Sequence, residues 1–319
     1  MKYLPWMTLT LLTSLSAVAC GDDDEPNGTA SGGSSSSFGG SSAQGGKSTG
    51  GTGGGTSAAK DIVDTAVAAG SFKELAKALT AADLVDALKG PGPFTVFAPT
   101  DAAFAAFEKA NPGVLASLSK AELGDVLKYH VVAGAAVEST ELKDKQVFTT
   151  LLGSPVLVDL EGGAKIGGAK VTTADVEASN GVIHVIDRII LPPTKDIIET
   201  AVEAGSFTTL ASALTAAKLV ETLKGPGPFT VFAPTDDAFE ELDSVPSGDA
   251  LKDVLLYHVV SGAIGSGDLA EGNVQTLLTG KKVSVELGAK VIINESQVTS
   301  ANIIAKNGVI HVIDKVLVP

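Results

Sequence analysis

The chain has almost no cysteine: Cys20 is the only one among 319 residues, so no intrachain disulfide can form. Exported domains with small cores often depend on such crosslinks, so folded parts of this chain must stand on packing alone. Aromatic residues are also scarce, at 5%, while hydrophobic residues make up 44%. Its cores must therefore be built mainly from Val, Leu, Ile and Ala. Basic patches are missing too: Lys281-Lys282 is the only adjacent basic pair, and the formal net charge is -14. An acidic surface repels polyanions, which excludes nucleic acid as a partner and disfavours heparin-like chains. The apolar run Leu4 to Leu15 is too short to span a bilayer.

What is present begins with an export signal. Met1-Lys2 is a short positive start, Leu4–Leu15 the apolar segment, and Ala17-Val18-Ala19 a small-x-small cleavage site. Residues 1–19 thus read as a signal peptide. Ala17-Val18-Ala19-Cys20 also resembles a bacterial lipobox, with Ala17 where Leu is usual. Cys20 is then the expected lipidation site, and simple secretion is the alternative. Acyl chains contribute about 0.8 kcal/mol per buried CH2, so several chains anchor a protein stably.

Residues 20–58 follow as an acidic, Gly/Ser/Thr-rich tether. Such a composition buries too little apolar surface to offset its ordering entropy. As a flexible coil of about 37 residues it spans roughly 30–37 Å. Within it Gly46-Lys47-Ser48-Thr49-Gly50 imitates a nucleophile elbow and the end of a phosphate loop. Neither motif works without a strand before it and a helix after it.

The remainder repeats itself. Asp61-Ile62-Val63-Asp64-Thr65-Ala66-Val67 recurs as Asp196-Ile197-Ile198-Glu199-Thr200-Ala201-Val202. The run from Gly90 to Asp101 recurs unchanged from Gly225 to Asp236, Tyr129-His130-Val131-Val132 at Tyr257-His258-Val259-Val260, and Asn180–Asp187 at Asn307–Asp314. Four blocks in one order, with a period of about 130 residues, mean tandem duplication of a whole domain. The expected boundaries are 59–193 and 194–319, joined at Leu191-Pro192-Pro193-Thr194, where proline limits the range of relative angles.

Helical spacing of Ile62, Val63, Ala66 and Val67 predicts a helix stopped by Gly70. Phe72, Leu75, Ala76 and Leu79 continue in a second. Gly-Pro-Gly-Pro then breaks the chain before a strand at Phe94–Phe97, which Pro99 ends. Thr100 or Asp101 can cap a helix running through Phe104 and Phe107, and another helix covers about Ala121–Lys128. From Gln146 onward the pattern alternates, and Asn180-Gly181 marks a tight turn before the last strand. Helices first and strands later predict an α+β domain with a mainly antiparallel sheet.

Thr95–Phe104, Tyr129-His130 and Asn180–Asp187, each matched in the second copy, resemble the motifs that define the fasciclin (FAS1) domain. The resemblance covers about residues 59–319. It implies two tandem FAS1 domains, each a β-sandwich wedge of roughly seven strands flanked by helices. It also implies adhesion or binding outside the cell, with no enzymatic activity and no cofactor. The expected localisation is a lipoprotein of the bacterial cell envelope held to its membrane at Cys20, otherwise secreted. The expected partner is an extracellular protein or polysaccharide. Two alternatives remain: an exported hydrolase with an unrecognised site, for which no nucleophile–base pair stands out, and a structural envelope spacer.

The four histidines, His130, His184, His258 and His311, all lie in repeated blocks. They read as a two-histidine metal site per copy or as imidazoles tying down backbone; no His-x-x-x-His or cysteine cluster favours the metal. Asp101, Asp187, Asp236 and Asp314 read as caps and turn ligands rather than acid–base pairs, with Thr100 and Thr235 beside them. Tyr129 and Tyr257 read as core rings whose hydroxyls are hydrogen-bonded. In animal members of the family, short Asp-Ile motifs before the Asn-Gly turn are proposed integrin contacts. The matching candidate interaction residues are Asp175, Val176, Asn302 and Ile303, of which only the first pair keeps the acid.

Overall fold

The computed structural model describes residues 60–319 except Asp243 and Val245. The signal segment, Cys20 and the tether lie outside the described residues. In the first module, α1 (Ile62–Ala69), α2 (Lys73–Ala81) and α3 (Val85–Lys89) precede β1 (Phe94–Pro99). Then come α4 (Asp101–Ala110), α5 (Val114–Ser117), α6 (Lys120–Tyr129) and β2 (Val131–Ala133). A 3-10 turn at Ser139–Glu141 leads to β3 (Val147–Thr149), β4 (Pro155–Asp159), β5 (Lys165–Ile166), β6 (Ala169–Ala178) and β7 (Gly181–Ile186). The second module repeats this with α7 (Ile197–Ala204), α8 (Thr208–Ala216), α9 (Val220–Lys224), β8 (Phe229–Pro234), α10 (Asp236–Glu240) and α11 (Gly248–Tyr257). Its strands continue as β9 (Val259–Ser261), β10 (Gly272–Gln275), β11 (Lys282–Leu287), β12 (Val291–Ile293), β13 (Ser296–Ala305) and β14 (Gly308–Ile313).

Local chemistry sets the helix ends. Asp61 accepts the amide of Asp64 and Asp196 that of Glu199, satisfying first-turn donors that a helix leaves free. Gly70 and Gly205 end α1 and α7 with φ of 74°, a left-handed conformation that glycine adopts without steric cost. The short α3 and α5 were not expected from the pattern, since five or four residues carry too little periodicity to read.

Each module has one seven-stranded sheet, in the order β2-β1-β7-β6-β5-β4-β3 and its equivalent in the second module. All pairs are antiparallel except β1 with β7 and β8 with β14, which run parallel and join the first strand of each module to its last. The sheet curls until its ends meet. Leu151 N–H donates to Val131 O at 2.6 Å, and Leu277 N–H to Val259 O at 2.7 Å. At Gly92 an added Cβ would lie 1.9 Å from the Asn180 carbonyl, so the chain entering β1 passes against the turn before β7 with no room for a side chain.

Strand alternation divides the core in two. Val96, Ala98 and Ile183 face the helices and pack with Ile62, Phe72, Leu75, Leu79, Leu88 and Leu127. Phe97 and Ile186 face the inside of the curl with Tyr129, Val156, Val158 and Ile166. Equivalent cores form around Val231 and Phe232. Phe97 and Phe232 are fully buried, a burial that contributes about 1.5–3 kcal/mol for such a side chain.

Candidate functional site

The repeated Thr-Asp pair caps two helices at once. Thr100 Oγ1 accepts the Ala103 amide at 3.2 Å and so caps α4. Asp101 does not serve its own helix: its Oδ1 accepts the Glu74 amide at 2.8 Å, at the start of α2. That helix needs it, because Phe72 stands at its N-cap and offers no oxygen. In the second copy Thr235 caps α10 through the Ala238 amide, and Asp236 accepts from the Thr209 amide at 2.7 Å and the Thr208 amide at 3.2 Å. The Thr208 hydroxyl also donates to Asp236, and these bonds hold its carboxyl down to about 2.

Each histidine ring lies between one backbone carbonyl and one backbone amide. His130 Nε2 accepts the Ile190 amide at 3.1 Å, which leaves Nδ1 to donate to Val126 O at 2.8 Å. His258 repeats this with Leu317 N and Val254 O. Burial pushes both rings down to about 4. His184 Nε2 donates to Val137 O at 2.9 Å while its ring stacks on Phe97, and Nδ1 faces the Asp175 amide at 3.5 Å. His311 does the same with Ile264 O, Phe232 and Asn302 N, and burial lowers its pKa. Every ring nitrogen thus faces a backbone group, and His184 Nδ1 also lies 4.0 Å from the Asp175 carboxylate. Among the described residues no group of three or more His, Cys, Asp or Glu side chains could hold a metal ion.

Tyr129 donates its hydroxyl to Pro155 O at 2.9 Å, and Tyr257 to Lys282 O at 2.8 Å. Burial raises the Tyr129 pKa. Asp187 Oδ1 accepts the Lys170 amide and Asp314 Oδ1 the Gln297 amide, each tying β6 or β13 to the end of the last strand.

The positions matched to the integrin motif sit in a bulge. Asp175 and Asn302 have φ of 57° and 61°, where the register of β6 on β7 and of β13 on β14 shifts. Short polar side chains tolerate that conformation. Asp175 accepts the Ser139 amide at 2.7 Å and also the Ser139 hydroxyl, which together hold its carboxyl below the usual range. Asn302 accepts the Ser266 amide and donates to the Ser266 hydroxyl, both at 2.7 Å. Val176 and Ile303 are partly buried against the helix-side cores.

A fasciclin domain profile matches residues 70–192 and again residues 205–319. The chain belongs to the fasciclin domain family. Transforming growth factor-beta-induced protein ig-h3 of Sus scrofa is 32% identical over 243 residues, covering 73% of this chain and 35% of that protein. Periostin of Homo sapiens is 31% identical over 246 residues, covering 74% of this chain and 28% of that protein. The chain therefore spans about a third of the length of these two relatives. The protein sll1735 of Synechocystis sp. is 45% identical over 133 residues, which is 41% of this chain and 97% of that protein. A solved FAS1 domain pair from the insect cell adhesion molecule Fasciclin I aligns with 79% of this chain and 98% of that chain, at 18% identity and a TM-score of 0.36.

Within these fasciclin modules, two further pairs of shared residues act as nodes that the sequence did not single out. Asn180 Oδ1 accepts the Ile62 amide, and its Nδ2 donates to Leu88 O and Gly90 O. Asn307 does the same for Ile197, Leu223 and Gly225. The buried Thr95 hydroxyl donates to Ala135 O and accepts the Val137 amide, as Thr230 does for Gly262 and Ile264. Their recurrence in both copies was the available signal, but an Asn-Gly pair reads as a turn and a strand Thr as a β-former. Where the fasciclin modules differ is the surface: α4 has ten residues and is followed by α5, whereas α10 has five. An open cleft of about 580 Å3 lies where Leu152–Ser154 of the first module approach Lys224–Gly227 of the second.

Proposed function

We propose that this chain is an exported, non-enzymatic binding protein of the cell envelope, anchored by lipid on Cys20. Its paired fasciclin modules engage an extracellular protein or polysaccharide. Membership of the family supports this, together with one observation about its shared residues. The motif histidines, tyrosines, asparagines and aspartates common to both modules bond chiefly to backbone, so recognition falls to surfaces where the copies differ. Those are residues 108–120 against 243–250, and 261–282. The acidic surface, with a net charge of -14, favours neutral or basic partners. No described helix is long and apolar enough to cross a membrane, and attachment through Cys20 would not need one.

Labelling cells with a radioactive fatty acid tests the anchor. Label on the wild type, with loss of label and release into the medium for Cys20→Ala, is the expected result; an unlabelled wild type would leave simple secretion. Binding of the purified protein to cells, matrix and glycan arrays tests the role. Exchange of residues 108–120 for the shorter second-module segment should then change the binding profile, whereas binding to none of these surfaces would count against adhesion.

A further inference from the structure

We propose that the two modules are locked into one rigid body by a glycine loop of the second module seated on the first. The loop is Gly265-Ser266-Gly267-Asp268, and its seat is Asp144–Val147, the turn that enters β3. Gly267 N–H donates to Lys145 O at 3.1 Å, and the Asp268 carboxylate accepts the Val147 amide at 2.7 Å. β3 is the last strand of the first module's sheet, so this loop covers its leading end, ahead of the closure at Leu151.

The two glycines show that contact, and not the loop's own fold, sets the sequence here. Neither lies among the positive-φ residues, so their backbone conformation does not ask for glycine. A Cβ on Gly265 would stand 2.3 Å from Lys145 O, and one on Gly267 would stand 1.9 Å from Asp144 O. The first module provides the control. Its equivalent loop is fixed by the same anchors: Thr95 holds Val137 as Thr230 holds Ile264, and Asp175 holds Ser139 as Asn302 holds Ser266. That register places Glu138 opposite Gly265 and Thr140 opposite Gly267, and both Glu138 and Thr140 are exposed. The same turn therefore folds with side chains when nothing sits on it, and lacks them where the first module does. With Pro192-Pro193 restricting the linker, the seat leaves the modules one relative orientation.

The test is the full exported protein against the double variant Gly265→Glu/Gly267→Thr, which copies the first module's residues into a loop known to tolerate them. Backbone relaxation and small-angle scattering are measured together, with hydrogen exchange reporting that both cores remain folded. The wild type should tumble as one body, with one correlation time for both modules. In the variant each module should tumble faster, toward the rate of a body half the mass, and the maximum dimension should grow. Independent tumbling of the wild-type modules would overturn the proposal, as would a variant with intact cores that stays as compact as the wild type.

Discussion

At the residue scale, the buried rings of His130, His258 and His311 decide how the protein responds to acid. An unfolded imidazole titrates near 6.5, while burial holds His130 and His258 at about 4. Below pH 6.5 the unfolded chain therefore binds protons that the folded chain refuses. Stability is at its full value above pH 6.5 and falls as pH drops toward 4, by on the order of 3 kcal/mol for each of these two rings. His311 acts in the same direction. Urea midpoints measured from pH 7.5 down to 4.5 should fall steadily for both modules, since each contains one of the pair; midpoints that stay level would contradict neutral, buried rings. Asn180 makes a second case. Asn180→Ala would strand the Ile62 amide and the carbonyls of Leu88 and Gly90, at a cost of about 2–3 kcal/mol. Asn180→Asp should be no better, because a carboxylate keeps the acceptor but turns an oxygen toward two carbonyls. Chemical denaturation of both variants measures this.

At the scale of elements, much was legible. Apolar spacing placed α1 and α2, a cap and two phenylalanines placed α4, and alternation marked the strands after Gln146 except β5, whose two residues are too few to show a pattern. The parallel join of β1 to β7 was not legible: pairing across most of a module depends on the tertiary path, which no local pattern carries. Capping was half legible. Thr100 or Asp101 could each have capped α4 by sequence, and only geometry shows Thr100 doing so while Asp101 crosses to α2. Asp236→Ala should therefore weaken α8, not the α10 in which it sits, by about 1 kcal/mol. Faster hydrogen exchange confined to the first turn of α8 would be its signature, and faster exchange in α10 would refute the assignment. Because the Asp236 carboxyl is held at about 2, this contribution is present above the ordinary carboxylate range and is lost as pH falls toward 2.

At the scale of the whole molecule, duplication made the modules visible in the sequence but hid their joint. Gly265 and Gly267 carry no local signal of it, because what they accommodate is the backbone of the first module. A joint of this kind couples two unfolding reactions in an unequal way. Whichever module unfolds first breaks the contact, so the contact stabilises that module alone; the second module unfolds with its partner already lost. Asp268→Ala removes a carboxylate that accepts the Val147 amide, a bond to a charged group worth about 1.5–3 kcal/mol. For a module of about 130 residues each kcal/mol moves the midpoint by roughly 3–5 °C. Scanning calorimetry of the full chain should accordingly show the lower transition falling by several degrees. The upper transition should hold its place, apart from a small local loss if it belongs to the second module, where Asp268 also accepts the Gly265 amide at a longer 3.3 Å. If instead the lower transition stays fixed while the upper one moves, the carboxylate serves only its own loop and the modules unfold without regard to each other.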